Sequence, residues 1–161
     1  MSSIKILVAS FCAVALAACA NSIAAPSSGV TRIVSTTAFG MCVGYCTTRL
    51  EISAGQAVLI REARAGRGGG GPVRDTQRFT AQLTLGEWQE IQRLAAAADL
   101  DALPDVVGCP DCADGGAEGL TIEGAAGSES VSFEFGARLA PAQPLLDRVR
   151  APRARLMPDE R

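Results

Sequence analysis

Four cysteines in two short motifs are the residues of this 161-residue chain with the most evident chemistry. Cys42 and Cys46 stand in Cys-Val-Gly-Tyr-Cys, and Cys109 and Cys112 stand in Cys-Pro-Asp-Cys. Paired thiols at these spacings can form disulfides, hold one zinc ion through four sulfur ligands, or act as a thiol–disulfide redox pair. The redox alternative is disfavoured, because a reactive thiolate needs a cationic neighbour or a helix N-terminus and the second pair has acidic neighbours and glycines.

Three carboxylates beside the second pair could also carry chemistry. Asp111, Asp114 and Glu118 could offer oxygen ligands to Ca²⁺ or the acid and base of a hydrolase, although their spacing does not match an EF-hand loop and we favour no metal. They belong to a segment, 94–137, with nine acids and no base. Residues 30–93 carry eight arginines against five acids, and residues 138–161 carry six against three. We expect internal ion pairing between the acidic segment and its basic flanks, and no nucleic-acid partner.

Missing residue types limit the function further. The chain has no histidine, and its one lysine is Lys5. The absence of histidine excludes Ser-His and Cys-His nucleophiles, an imidazole general base and histidine metal sites. Without a later lysine there is no Schiff base and no Walker A motif, so the glycine-rich run at 66–71 is interpreted as a loop. The composition therefore favours a protein that is not an enzyme and has no cofactor.

The N-terminal segment has the form of a signal peptide. Lys5 supplies a positive charge, and residues 6–18 are apolar or small. This run is too short for a membrane span, which takes about 20 apolar residues. The sequence Leu16-Ala17-Ala18-Cys19 matches the lipobox of bacterial lipoproteins. This resemblance implies cleavage before Cys19 and attachment of a diacylglyceryl group and an acyl chain such as palmitate to Cys19, which together anchor a protein stably.

The residues after Cys19 bear on location and organisation. Ala20 and Asn21 lack the aspartate that commonly marks inner-membrane retention in the Gram-negative class, so we expect the periplasmic face of the outer membrane. The expected partners are the membrane, through the lipid, and another envelope protein. Small and polar residues then predict a flexible tether. The predicted organisation is a signal peptide at 1–18, an anchor and tether at 19–29, one domain at 30–151 and a disordered tail at 152–161.

Hydrophobic periodicity predicts the elements of that domain. Strand-like alternation follows a first strand that precedes Cys42. The alternating segments are 49–52, 79–83, 120–123 and 131–135, and residues 57–60 form a short apolar run that also favours a strand. An acidic loop is expected over 104–119. The order of elements suits an α+β fold, an antiparallel sheet of about five to six strands with two helices packed on one face.

Two helices are predicted. Thr84 and Glu87 fit a capping box, which marks a helix start. The apolar positions that follow at spacings of three and four define its buried face: Leu85, Trp88, Ile91, Ala95 and Ala98. This helix should end near Asp99. A short helix at 144–150 should be interrupted at Pro152, because proline cannot donate a backbone hydrogen bond.

Export would place the four remaining cysteines in an oxidising compartment, which makes two disulfides the leading interpretation and leaves three connectivities open. From about Val30 onward the chain resembles uncharacterised bacterial lipoproteins. They include a broad family of unknown function whose first strand is followed by a Cys-x-x-x-Cys loop with an internal glycine, as in Cys42-Val43-Gly44-Tyr45-Cys46. Its members often have only the first pair, which implies the pairs Cys42–Cys46 and Cys109–Cys112. This chain departs from the family in its second pair and in lacking a proline after Cys46.

The expected function is therefore that of a membrane-anchored envelope lipoprotein whose disulfide-stapled domain binds or supports another component without catalysis. One alternative is a zinc-binding or thiol-dependent domain built on all four cysteines. Another is a hydrolase using Asp111, Asp114 or Glu118. The resembling family implies no known activity.

Overall fold

The structure, a computed structural model, describes residues 29–64 and 74–158. The expected signal peptide, Cys19 and nearly all of the tether lie outside the described residues, as do the glycine-rich run and residues 159–161. The elements are β1 (Val30–Ala38), β2 (Gly44–Ser53), β3 (Gln56–Arg64), β4 (Gln77–Gln82), α1 (Leu85–Ala97), β5 (Val106–Val107), β6 (Ala117–Gly124), β7 (Gly127–Glu134) and α2 (Gln143–Leu156). In the described part of the chain, neither helix has the length and apolar character needed to cross a membrane.

The strands form one sheet in the order β4-β3-β2-β1-β6-β7-β5. All neighbours are antiparallel except β5 and β7, which are parallel. The α+β class and the mainly antiparallel sheet are confirmed, but seven strands exceed the five to six expected. The additional strand is β5, which lies inside the segment predicted as a loop. Its two residues pair with Ser132 and Phe133 of β7. Two residues are too few to show any alternation, so no pattern could reveal them.

The side chains on the helix-covered face form three cross-strand rows. The first row is apolar: Ala57, Ile52, Ile33 and Ile122. The second row is apolar apart from one serine: Leu59, Leu50, Ser35, Leu120 and Val131. The third row is mostly polar although it is buried: Arg61, Thr48, Thr37, Glu118 and Phe133. The hydrophobic core therefore gives way to polar side chains at one end of the sheet.

Helix α1 begins as predicted. The capping box is complete, since the Thr84 hydroxyl accepts from the Glu87 backbone N–H and the Glu87 carboxylate accepts from the Thr84 backbone N–H. Trp88 and Ile91 are buried in the core, but Leu85 is 71% exposed, so its placement on the buried face was wrong. Each helical residue turns the side-chain direction by about 100°. Around the helix axis, Leu85 is therefore roughly a quarter turn from the centre of the buried face formed by Trp88, Ile91 and Ala95, so it lies at the edge of that face.

Helix α2 is longer than predicted. It continues through Pro152 to Leu156, so the expected interruption at Pro152 was wrong. Proline in a helix interior costs about 3 kcal/mol in propensity. Here the ring of Pro152 is fully buried, and the next residue, Arg153, is buried and bound to the sheet. These tertiary contacts offset the local cost, and they make residues 152–156 helical where a tail was expected.

Candidate functional site

A cleft of about 460 Å³ opens at the polar end of the sheet, where β1 ends and β2 begins. Its floor is formed by strand residues, Thr37, Cys46, Thr48 and Glu118. The C-terminal half of α2 and the residue that follows it cover the cleft with Arg150, Arg153, Ala154 and Met157. The cleft thus depends on the part of α2 that the sequence did not predict to be helical.

The floor is a continuous polar line across three strands. Thr37 of β1 stands opposite Thr48 of β2 on one side and opposite Glu118 of β6 on the other. The two threonine hydroxyl oxygens are 2.6 Å apart, so one hydroxyl donates to the other. Because each hydroxyl carries one hydrogen, the pair keeps one further hydrogen that it can donate.

Glu118 is held by two arginines of α2. Arg150 donates to it twice, from Nε to Oε1 at 3.1 Å and from Nη2 to Oε2 at 2.7 Å. Arg153 donates from Nη1 to Oε1 at 3.0 Å and from Nη2 to the Ser35 hydroxyl. The backbone N–H of Gly136 reaches Oε2 at 3.3 Å. With four hydrogen bonds to its two oxygens, the carboxylate has used its acceptor sites.

Burial, hydrogen bonds and neighbouring charges set the pKa values, and so the charges, of Glu118, Arg150 and Arg153. Burial alone would raise the pKa of Glu118, but the hydrogen bonds and charges of Arg150 and Arg153 outweigh it, and the pKa is lowered. The bond to Glu118 raises the pKa of Arg150, whereas burial lowers the pKa of Arg153. Arginine nevertheless stays protonated in proteins. The cluster therefore holds one negative and two positive charges at neutral pH.

Aromatic residues form the mouth of the cleft. Phe39 and Phe135 meet edge to face, with ring centroids 4.9 Å apart, and Phe135 is 49% exposed. Tyr45 lines the same cleft, and the guanidinium of Arg61 lies over its ring at 4.5 Å. The approach to the charged cluster is therefore mainly apolar.

The four cysteines of the described residues lie in two pairs at disulfide distance, Cys42 with Cys46 and Cys109 with Cys112, each with Cα atoms 5.5 Å apart. They staple two loops that lie side by side at the end of the sheet where the cleft opens. The Asp111 carboxylate accepts from the backbone N–H of Gly40, at 3.0 Å. The backbone N–H of Phe39 donates to Cys46 of the first pair, and that of Phe135 donates to Gly116 near the second pair.

The three carboxylates singled out in the sequence do not come together. Glu118 was expected in a loop but lies in β6, 2% exposed, in the arginine cluster. Asp111 binds the neighbouring loop, and Asp114 is exposed. Within residues 29–64 and 74–158, no three cysteine, aspartate or glutamate side chains are grouped so that they could hold a metal ion.

Sequence reasoning missed Arg150 and Arg153, together with the threonines of the floor. A signal for part of the cluster was present. Glu118 is in phase with Leu120 and Ile122, so continuing the alternation backwards would have turned Glu118 toward the core. A buried glutamate requires a positively charged or hydrogen-bonding partner. The arginines near the C-terminus were the candidates that the sequence offered.

Comparisons with known proteins add no relative. A scan against protein-family models finds no family that matches this chain, and a search of curated proteins finds no match. The interpretation of the cleft therefore depends on its own geometry.

Proposed function

We propose that this protein is an envelope lipoprotein, anchored through lipid on Cys19, whose disulfide-stapled α+β domain binds a ligand in the cleft without converting it. The observation that carries the binding proposal is the cleft itself. Its walls are mainly apolar side chains. At its bottom, Arg150 and Arg153 are held by hydrogen bonds to Glu118. Small-molecule sites commonly combine a largely apolar pocket of about 300–1,000 Å³ with a few fixed polar groups.

The chemistry of the cleft favours binding over catalysis. Among the residues that line it, Glu118 is the one carboxylate, and its oxygens are already occupied by hydrogen bonds. Carboxylate-based hydrolysis uses two such groups with separated pKa values, one of them raised so that it can act as an acid. The lowered pKa of Glu118 opposes that role. The two disulfide-distance pairs likewise favour staples over a four-cysteine zinc site.

The position of the cleft suits a domain that faces away from its anchor. The tether enters the domain at the start of β1, and the cleft lies at the other end of that strand. Eight steps of about 3.3 Å separate Val30 from Ala38, a span of roughly 26 Å. The cleft therefore lies about one strand length from the residue at which the tether joins the domain.

Metabolic labelling with palmitate tests the anchor. The wild-type chain should incorporate the label and sediment with the outer membrane, and Cys19→Ala should do neither. Cys12→Ala is the matched control, because that cysteine lies inside the apolar run of the expected signal peptide and should leave labelling unchanged. Label retained by Cys19→Ala, or a wild-type chain free of the membrane, would show that the anchor is wrongly assigned.

A further inference from the structure

The charge balance of the cleft is the starting point for a ligand class. Two arginines face one glutamate, and these are the three charged residues in the lining. The charges in the lining therefore sum to one positive charge, at the bottom of a cleft whose walls are mainly apolar, and Asp147, exposed nearby on α2, adds a weaker attraction to Arg150. Burying an uncompensated charge is costly, so an anion bound there would be stabilised by the charge it neutralises.

The hydrogen-bond donors show where that anion would bind. Nε and Nη2 of Arg150 bind Glu118, and Nη2 also donates to the carbonyl oxygen of Ala137. Nη1 of Arg150 makes no hydrogen bond to any residue in the described ranges. The Arg150 side chain is 27% exposed and lines the cleft. The pair of threonine hydroxyls on the floor has one further hydrogen to donate.

From this charge and these donors we infer that the cleft binds a small apolar monoanion, a free aliphatic or aromatic carboxylate. The carboxylate would accept from Arg150, and its apolar body would lie between Phe39, Phe135 and Met157. A more highly charged ligand would exceed the single excess charge, and a neutral apolar ligand would leave it uncompensated. This inference rests on the proposed binding function and names its ligand class.

Calorimetric titration of octanoate into the mature lipoprotein, held in phosphatidylcholine nanodiscs, tests the inference. Octanamide serves as the neutral counterpart, and empty nanodiscs give the background. Octanoate should bind more tightly than octanamide, by about tenfold to a hundredfold, which is the range expected for hydrogen bonds to a charged group. Arg150→Gln should abolish this preference, whereas Arg148→Gln, on the same helix and paired with Glu87 instead, should keep it.

A second pair of variants leaves Glu118, Arg150 and Arg153 in place. Ala154 is exposed on α2 and lines the cleft, so Ala154→Glu places a carboxylate in it and should weaken octanoate binding at least about tenfold. Ala151→Glu is the matched control, because Ala151 is an exposed alanine of the same helix that does not line the cleft. Equal loss in both variants would overturn the inference.

The remaining outcomes separate the ligand class from the proposed function. Equal affinity for octanoate and octanamide, sensitive to Ala154→Glu, would refute selection of a carboxylate but leave binding in the cleft standing. Binding of neither compound would refute the inferred class. Hydrolysis of p-nitrophenyl octanoate that is lost in Glu118→Gln would refute the non-enzymatic function itself.

Discussion

Replacing Glu118 with glutamine removes the negative charge that two arginines share. Arg153 is buried, so without Glu118 its charge has no opposite partner among the described residues, and removing one partner of a buried ion pair costs about 3–5 kcal/mol. The lower end applies here, since Arg150 is partly exposed and water can screen it. We expect Glu118→Gln to lower the free energy of unfolding by about 3 kcal/mol, and the Tm by roughly 10 °C.

Urea unfolding followed by fluorescence of Trp88, the one tryptophan and a buried one, measures this loss. Glu129→Gln is the matched control, because Glu129 is exposed on β7 and should change stability by less than about 0.5 kcal/mol. A double variant, Glu118→Met with Arg153→Met, removes both charges and should be no less stable than Glu118→Gln. A loss below about 1 kcal/mol in the single variant, or a double variant that is less stable, would refute the reasoning.

The Glu118 carboxylate should also make the stability of the fold depend on pH. Its pKa is lowered in the folded state, so its contribution to stability is full above the unfolded value of about 4.3 and is lost as the pH falls through the folded value. Stability of the wild type should therefore fall on acidification below about pH 4. Glu118→Gln should lack this component of the fall, and an unchanged pH profile in that variant would contradict the assignment.

Three further outcomes test other parts of the fold. Intact mass under denaturing, non-reducing conditions should show four hydrogens fewer than the reduced chain and no alkylation, and peptide mapping should recover Cys42–Cys46 and Cys109–Cys112; a cross-linked pair of peptides would contradict this pairing. Thr84→Ala should lower the free energy of unfolding by about 1 kcal/mol, measured in urea, because it removes the cap of α1. Gly116→Ala should cost about 1–3 kcal/mol in the same assay, since its φ is +85° and a Cβ there would collide with the ring of Phe39; an unchanged midpoint would show that the loop can shift.

The sequence was most informative where periodicity and local signals agreed. The capping box at Thr84 and Glu87 placed the start of α1, and alternation placed most of the long strands, because both signals depend on neighbours along the chain. Local signals failed at Pro152, where the predicted helix break is overridden by burial of the ring and by the bond from Arg153 to Glu118. Arg153 and Glu118 are 35 positions apart, and a contact over that distance cannot be predicted from the residues next to Pro152.

The cleft could not be predicted for the same reason. Its floor needs the register that places Thr37 between Thr48 and Glu118, and a register is a property of paired strands rather than of one segment. The charge pattern along the chain did anticipate pairing between acidic and basic segments. Glu118 pairs with arginines of the C-terminal flank, and Arg32 pairs with Glu123 at 2.8 Å on the open face of the sheet. The pattern could not say which of these pairs would be buried.

Stability alone does not account for the buried cluster. Two charges of opposite sign inside a protein often contribute no more than apolar side chains of the same volume, because both must be removed from water. Here the adjacent row of the sheet shows the apolar solution, with Leu50 and Leu120 on either side of Ser35. The chain departs from that solution at the row that opens into the cleft, where Glu118 binds Arg150 and Arg153 of α2. Under the proposed function these polar groups serve a ligand as well as the fold, so loss of ligand binding and loss of stability should separate between Ala154→Glu and Glu118→Gln.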